Sequence, residues 1–273
     1  MGNPAPTSSR RKQSIKGDIA AAFLLLTRIP VSWHRFDNDS PPDFASALWT
    51  YPLVGIVVGG LAGMVAWGGT NLSLPPMVTA ALTLLTLAML TGAMHEDGLA
   101  DLADGFGGGG TPERKAEIMH DSRIGSYGVT GLCLATITRI ALLVVLFDLF
   151  VGWQLALIIA IIAAGARYQV LLLLRMFPLS SFAKLGQMTA KPSLGALTIG
   201  SVLAFGPLHW LLGPVATLMV ITVTLLISLW IGRLATRQIG GLTGDVMGAS
   251  IILAELIIMV AVTQYAEWGL GTW

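Results

Sequence analysis

The chain alternates long apolar segments with short polar connections. Each apolar segment approaches the length of about 20 residues that an α-helix needs to cross a bilayer. The segments are residues 44–69, 75–94, 127–150, 153–176, 193–212, 214–234 and 246–266. The pattern predicts an all-α, polytopic membrane helix bundle with about seven transmembrane helices.

The beginning of the chain departs from this pattern. Residues 18–33 are apolar, but the segment is short and is interrupted by Arg28 and Pro30, so it predicts an interfacial or re-entrant helix. Residues 1–17 are basic and contain Ser, Pro and Gly, which predicts a mobile basic arm. Residues 18–273 are then expected to form a single integral-membrane domain.

Composition and charge strengthen the membrane assignment. Hydrophobic residues make up 54% of the chain and charged residues 11%, and the mean hydropathy is +0.75, outside the usual balance of soluble domains. Lys and Arg are concentrated in alternate connections and are absent near 70–74, 151–152 and 213. Because basic connections stay in the cytoplasm, we expect a cytoplasmic amino terminus and an external carboxyl terminus.

An acidic stretch, HEDGLADLADGFGGGG (95–110), lies at the predicted cytoplasmic surface. Asp97, Asp101 and Asp104 have i, i+4, i+7 spacing, which on a helix places their carboxylates within about 60° of one another. A cation relieves their repulsion, and oxygen ligands favour Mg²⁺ or Mn²⁺ over zinc. The alternative is a solvated acidic helix face.

Glycines follow the acids directly, at Gly107, Gly108 and Gly109. Their backbone N–H groups can approach and bind phosphates, which makes the three glycines candidate substrate-binding residues. No Lys followed by Ser or Thr is present, so the run is not a Walker A loop. A flexible linker is the alternative interpretation.

The next stretch, TPERKAEIMHDSRIGSYG (111–128), extends the candidate site. Thr111 and the proline after it predict a helix start, and Arg114 and Asp121 then lie on one face of that helix. Arg123 is a candidate phosphate ligand, or an ordinary positive-inside anchor. Acids, glycines and basic residues beside a membrane favour metal-assisted phosphoryl chemistry.

A second polar cluster, GGLTGDVMG (240–248), precedes the last apolar segment on the same predicted side. Thr243 and Asp245 either cap the following helix or bind substrate, with Asp245 a further candidate metal ligand. His95, beside the acidic stretch, is likewise either a substrate-binding residue or an interfacial polar residue.

Arg139, Arg167 and Glu255 fall inside apolar segments. Intramembrane charges can carry a transported substrate or protons, and they can also pair with one another. Transport is the less favoured function, because the sequence has no obvious inverted repeat and a midplane site would not explain the acids at the surface.

Small residues at G-x-x-x-G spacing occur in GIVVGGLAG (55–63). Gly55, Gly59 and Gly63 predict a close helix contact, either within one subunit or between two copies of the chain. A homo-oligomer is therefore one possible arrangement.

Together, HEDGLADLADGFGGG and EIMHDSRIGSYG closely resemble the signature of the cobalamin synthase family, the adenosylcobinamide-GDP ribazoletransferases of bacteria and archaea. FLLLTRIP (23–30), YPLVG (51–55) and GGLTGDVMGA (240–249) are similar to further blocks of that family in the same order. The loop around 174–186 is only loosely similar, which leaves Arg175 and Lys184 without an assigned role.

The resemblance implies a membrane enzyme that joins adenosylcobinamide-GDP to alpha-ribazole or its 5′-phosphate, with release of GMP and Mg²⁺ as cofactor. It implies that residues 18–273 are catalytic, that Asp97, Asp101 and Asp104 hold the metal, and that one of these acids or Asp121 accepts the hydroxyl proton. The expected location is the bacterial cytoplasmic membrane, with membrane lipid as a partner and no nucleic acid.

The fragment DLADG (101–105) is also similar to the start of the motif of CDP-alcohol phosphotransferases. That motif continues to an Ala-Arg pair and two further spaced aspartates, whereas Phe106 and glycines follow here. This family is the second choice.

Overall fold

The computed structural model describes residues 13–35, 41–183 and 191–268. Within these ranges the chain is helical, and an isolated bridge between Leu179 and Leu242 is present in place of a sheet. The α-helices are α1 (Ile15–Leu26), α2 (Tyr51–Asn71), α3 (Pro76–Thr91), α4 (Met94–Gly108), α5 (Pro112–Met119), α6 (Ser126–Leu149), α7 (Trp153–Met176), α8 (Leu194–Ile239) and α9 (Gly244–Glu267). Short 3-10 helices at Trp33–Arg35 and Ser46–Thr50 connect α1 to α2. The all-α prediction is confirmed.

Parts of the sequence-based predictions lie outside the described residues. These parts are residues 1–12 of the basic arm, Lys184, and the carboxyl-terminal residues 269–273. The last residues assigned to the arm are already ordered, because α1 begins at Ile15 with Ser14 as its N-cap.

Helix α1 is a short anchoring helix. Its 12 residues span roughly 18 Å, less than the hydrocarbon thickness of about 30 Å, in keeping with the short helix predicted here. Asp18 fixes α1 to the 3-10 helix Ser46–Thr50, because its carboxylate accepts hydrogen bonds from Ser46 Oγ at 2.7 Å and Trp49 Nε1 at 2.8 Å.

Helix α7 is the centre of the bundle and is buried along most of its length. Helix α2 lies against it in antiparallel direction, with Gly55 beside Ala163 and Gly63 beside Ala156. A Cβ atom at Gly63 would stand 2.6 Å from the Ala156 carbonyl oxygen, so only glycine permits this approach. The glycine spacing is thus used within one chain.

Helix α8 is two helical arms, since 46 residues are too many for one crossing. Gly213 has φ 79° and ψ −175° and is followed by Pro214, which breaks the helix there. The first arm, 194–212, runs antiparallel to α7. Trp210 stacks near Trp153 at one end of α7 with ring centroids 6.0 Å apart, and Tyr168 Oη donates to the Leu197 carbonyl near the other end.

The second arm, 214–239, returns alongside α7 in the parallel direction. The Gln169 side-chain amide lies within hydrogen-bonding distance of Thr224 and Ser228, and Gly232 contacts the Phe177 ring just beyond the end of α7. The two arms therefore run along α7 in opposite directions. This agrees with the prediction of two separate crossings at 193–212 and 214–234.

Five helices of the described residues are long and apolar enough to cross a membrane, and α3 with α4, bent by 91°, passes the same test as a pair. We assign this crossing to the apolar α3 and place α4, which carries three aspartates, outside it. Counting the two arms of α8 separately brings the number of crossings in the described chain to seven, close to the predicted number.

Candidate active site

A cleft of about 690 Å³ opens where α4 and α9 meet the connection between α5 and α6. Its lining includes Asp97 and Asp101 from α4, Asp121 and Arg123 from the connection, and Asp245 from the first turn of α9. Two sequence segments more than 120 residues apart thus supply acids to one cavity. The structure brings these five predicted residues together.

The close packing of α4 and α9 is what brings the acids together. A Cβ atom at Gly98 would stand 2.8 Å from the backbone oxygen of Asp245, so the glycine lets the first turn of α9 lie directly on α4. Gly98 follows Asp97 in the chain and lies on the neighbouring helix face. Asp245 consequently reaches the same cleft as Asp97 and Asp101.

The turn before α9 is built from glycines and a cap. Gly240 has φ 78° and Gly241 φ 154°, backbone conformations that favour glycine. Thr243 is the N-cap of α9, and its hydroxyl accepts a hydrogen bond from Val246 N–H. The capping interpretation of Thr243 is confirmed, and the residue also lines the cleft.

Burial and neighbouring acids raise the proton affinity of Asp101 in the cleft. The pKa of Asp101 rises from 3.8 to about 7, because of partial burial first and then the negative charges of Asp97, Asp245 and Asp104. An excess of negative charge in a partly enclosed cleft favours a bound cation or a proton.

Asp121 and Arg123 form a close pair at the cleft entrance. Arg123 Nη2 donates to Asp121 Oδ2 at 2.7 Å and Arg123 Nε to Asp121 Oδ1 at 3.1 Å. This pairing lowers the pKa of Asp121 to about 2. Asp121 is therefore a fixed negative charge that orients the largely exposed Arg123 side chain.

Asp104 has a structural role that the helix spacing did not reveal. Its Oδ2 accepts from Gly125 N–H at 2.7 Å and its Oδ1 from Gly128 N–H at 2.9 Å. A Cβ atom at Gly125 would stand 2.5 Å from Asp104 Oδ1, so glycine is needed there. Both oxygens cap the start of α6, and Asp104 is absent from the cleft lining, in contrast to its expected metal-binding role.

The predicted phosphate-binding glycines also lie apart from the cleft lining. Gly107 and Gly108 belong to α4, where Gly107 packs on the Tyr127 ring, and Gly109 packs against Lys115. Close packing accounts for Gly107 and Gly109, whereas a Cβ atom at Gly108 would make only an ordinary contact with Ile118 at 3.6 Å. Arg114 likewise points elsewhere and forms an exposed ion pair with Glu117 at 2.8 Å.

His95 is buried behind the cleft rather than in it. Its side chain is 3% exposed and lines a smaller apolar cavity with Tyr51. The expectation of a substrate contact in the acidic cleft is not met, because residue 95 lies on the face of α4 that packs on α9 near Gly248.

The intramembrane charges pair with one another beneath the cleft. Arg139 donates to Glu255 at 2.6 Å and to Glu96 at 3.0 Å, and Arg167 donates to Glu255 at 3.2 Å. Two arginines thus balance two glutamates at the junction of α4, α6, α7 and α9. The pairing alternative is confirmed, and these residues are ion-paired rather than exposed along a pathway.

Several cleft-lining residues were not predicted from sequence, among them Glu96, Ser122 and Phe182. Glu96 lines the cleft and also forms an ion pair with Arg139, and Ser122 and Phe182 form part of the wall. Glu96 could have been found from sequence, because it belongs to the acidic stretch 95–110. It directly precedes Asp97, so it does not share the helix face of Asp97 and Asp101. Phe182 comes from the connection after α7, and no sequence pattern indicated it.

The fold and the cleft define an integral-membrane, multi-pass helical protein with an acid-lined cleft at one end of the bundle. Residues 18–263 match the family described as cobalamin-5-phosphate synthase. The chain belongs to this family, as its sequence motifs indicated.

Relatives in this family share sequence over nearly the full chain. A protein of Azorhizobium caulinodans named adenosylcobinamide-GDP ribazoletransferase is 39% identical over 94% of this chain and 99% of its own. Proteins of the same name from Bradyrhizobium diazoefficiens and Ralstonia pickettii are each 35% identical, over 93% and 82% of this chain and 95% and 83% of their own. No solved structure matches the chain.

Proposed function

We propose that this chain is an adenosylcobinamide-GDP ribazoletransferase acting late in cobalamin synthesis. The observation that carries the proposal is the family match over residues 18–263, together with the acids of α4 and α9 that share one cleft. A ribose hydroxyl of alpha-ribazole, or of its 5′-phosphate, attacks the phosphorus bonded to cobinamide. The P–O–P bond to the guanylyl group breaks, GMP leaves with its electron pair, and the hydroxyl proton passes to a base.

Magnesium is the proposed cofactor, held by Asp97, Asp101 and Asp245. Among the described residues, no three His, Cys, Asp or Glu side chains form a ready metal site. The donor set nevertheless fits, because these carboxylates share the cleft and their repulsion contributes to the raised pKa of Asp101. When bound, Mg²⁺ would neutralise charge on the phosphoryl oxygens and the departing phosphate.

The chain's own residues bind and orient the phosphates in this proposal. Arg123 lines the cleft, and Asp121 orients its exposed guanidinium so that it can bind a phosphate. Gly244 and Asp245, the first residues of α9, line the cleft, and N–H groups at the start of a helix favour anions. With its pKa near 2, Asp121 is a poor proton acceptor, so we assign proton removal to Asp97, Asp101 or Asp245.

We place the protein in the bacterial cytoplasmic membrane with its amino terminus and its cleft in the cytoplasm. The distribution of Lys and Arg supports this orientation. Large apolar side chains exposed on the outer helices, such as Leu134, Ile137 and Trp230, suit contact with membrane lipid. The glycines of α2 pack against α7 of the same chain. They therefore give no support to a homo-oligomer, which stays a prediction.

The test is a reconstituted assay. Purified protein in liposomes, given adenosylcobinamide-GDP, alpha-ribazole and Mg²⁺, should release one GMP per corrinoid product, measured by chromatography. Omitting either substrate or adding a chelator should stop the release, and no ion gradient should be needed. A folded preparation that releases no GMP would contradict the proposal and return attention to a CDP-activated donor or to transport.

A further inference from the structure

The acidic cleft has an apolar lining as well as its carboxylates. Three apolar side chains face the same space: Ile124 from the connection between α5 and α6, Leu132 from α6, and Phe182 from the connection after α7. Ile124 is 54% exposed, and Leu132 and Phe182 are partly buried. The cleft therefore offers apolar surface beside the acids of α4 and α9.

Two separate parts of the fold supply this apolar lining. Ile124 lies at the start of α6, where a Cβ atom at Gly128 would stand 3.0 Å from Ile124 Cγ1. Phe182 is held near the turn before α9. Its N–H donates to Ser180 Oγ at 3.2 Å, and the Ser180 N–H donates to the Leu242 carbonyl at 2.9 Å. Both side chains are thus fixed by the same packing that forms the cleft.

Membrane lipid does not account for the exposure of Ile124. Exposed apolar residues such as Leu134 and Ile137 lie within the long apolar helix α6, which crosses the membrane. Ile124 belongs instead to a polar connection and lines the acidic cleft. Ligand sites commonly combine apolar surface with a few polar groups that fix the reacting part of the ligand. The lining therefore indicates a ligand with an apolar part next to a reacting polar part.

Under the proposed function, two aromatic bases could meet this lining. Guanine has hydrogen-bond donors and acceptors around its edge, which apolar side chains leave without partners at a cost in free energy. The cleft carboxylates outside the proposed metal site are already engaged, since Glu96 pairs with Arg139 and Asp121 with Arg123. The base of alpha-ribazole is a largely apolar bicyclic ring, and it suits the lining better than guanine does.

We propose that Ile124, Leu132 and Phe182 bind the aromatic base of alpha-ribazole. The assignment rests on the proposed function and places both parts of the nucleoside in one open cleft. The Phe182 ring offers an aromatic partner for the base, and the two aliphatic side chains cover further apolar surface. The ribose then lies toward Asp97 and Asp101, where its hydroxyl reacts.

The experiment compares two cleft variants with a matched control in purified, reconstituted protein. Ile124→Ala removes most of an exposed apolar side chain, and Phe182→Leu removes the ring but keeps an apolar group. Ile137→Ala is the control, because Ile137 is 63% exposed on α6 and lies outside the cleft lining. The KM of each substrate and the inhibition constant of GMP are measured from the reaction, and the Kd of alpha-ribazole alone by calorimetry.

Ile124→Ala should raise the KM and Kd of alpha-ribazole about 10-fold through the loss of apolar contact, and Phe182→Leu about 5-fold through the loss of the ring. The KM of adenosylcobinamide-GDP and the inhibition constant of GMP should stay as in Ile137→Ala. The unfolding midpoint of Ile124→Ala should also match that control, because residue 124 is exposed.

Unchanged alpha-ribazole binding in both cleft variants would overturn the assignment. A weakening confined to GMP and adenosylcobinamide-GDP, or an equal weakening for all ligands, would overturn it as well. Wild-type protein that binds alpha-ribazole in an Ile124-dependent manner yet releases no GMP would instead defeat the proposed function and support the assignment of the lining.

Discussion

Asp104 and Gly125 are joined by a hydrogen bond of 2.7 Å from the Gly125 N–H to the Asp104 carboxylate, which fixes the end of α4 to the start of α6. The same carboxylate accepts from Gly128 N–H. Asp104 is 8% exposed, whereas Asp97 and Asp101, on the same helix, line the cleft. One acidic stretch thus contains a structural carboxylate and two cleft carboxylates. Substitutions should distinguish these two roles, because they should affect stability in one case and turnover in the other.

Asp104→Asn should lower stability by about 1–3 kcal/mol, because an amide nitrogen would face a backbone N–H donor. The Mg²⁺ concentration for half-maximal GMP release should stay near the wild-type value in the protein that remains folded. Thermal unfolding in detergent and a Mg²⁺ titration check the two halves of this prediction. A stable Asp104→Asn protein with a strongly altered Mg²⁺ requirement would restore Asp104 as a ligand.

Asp97→Asn, Asp101→Asn and Asp245→Asn should behave in the opposite way. Each should reduce turnover by roughly 100-fold or more, since charge neutralisation and positioning supply most of phosphoryl-transfer catalysis. Stability should be kept, because each change removes repulsion from the cleft. Asp148→Asn is the control, at an exposed residue near the far end of α6. Normal turnover and normal Mg²⁺ dependence in all three variants would remove the cleft acids from the site.

The raised pKa of Asp101 predicts how stability depends on pH in metal-free protein. Between 3.8 and about 7 the folded state binds a proton that the unfolded state has lost, so stability should fall as pH rises through this window and level off above it. The unfolding midpoint measured from pH 5 to 8 with chelator should show this fall. Asp101→Asn should flatten the curve. A wild-type midpoint that rises with pH would contradict the assigned pKa direction.

Sequence periodicity predicted the helices well because each apolar segment is a local signal. The two arms of α8 were separated by the Gly213–Pro214 pair, and α5 began at its predicted cap, Thr111. The acids Asp97 and Asp101 were placed on one helix face by their spacing alone. Local chemistry was sufficient for these features.

Contacts between residues far apart in the chain could not be predicted from the periodicity of the sequence. Asp104 shares the spacing of Asp97 and Asp101, yet its partner Gly125 lies 21 residues away on another helix. The bond between Arg139 and Glu255 spans 116 residues. Such contacts depend on how the helices pack, and the packing here depends on close approach at glycines such as Gly98, which a hydropathy pattern does not contain.

The buried ion pairs should contribute strongly to stability once formed. Glu255→Gln leaves Arg139 and Arg167 with one acid between them, and loss of one partner of a buried pair costs about 3–5 kcal/mol. Glu117→Gln is the matched control, because Glu117 pairs with Arg114 at the exposed surface, where a pair contributes about 0.2–1 kcal/mol. Denaturation of both variants in the same detergent measures the difference. Similar midpoints would mean that the buried network is energetically unimportant.

Close packing of α2 on α7 gives a prediction from two glycines of one helix. Gly63→Ala would place a Cβ atom 2.6 Å from the Ala156 carbonyl oxygen, and this backbone atom cannot move away easily. A Cβ atom at Gly68 would meet nothing within 4 Å. Gly63→Ala should destabilise by about 1–3 kcal/mol, and Gly68→Ala should leave stability equal or raise it by up to about 1 kcal/mol. Unfolding midpoints test this pair. Equal effects would show that α2 and α7 are further apart than described.

The proposed orientation predicts which connections thiol reagents reach from outside the cell. In a Cys133→Ser background, Gly110→Cys lies between α4 and α5 with open space around it, while Val151→Cys lies between α6 and α7 at a residue 71% exposed. An impermeant maleimide applied to intact cells should label residue 151 and should label residue 110 only after permeabilisation, because the basic connections stay in the cytoplasm. Labelling after denaturation controls for expression of both variants. If residue 110 reacts in intact cells and residue 151 does not, the cleft faces outward, and a cytoplasmic supply of its substrates is ruled out.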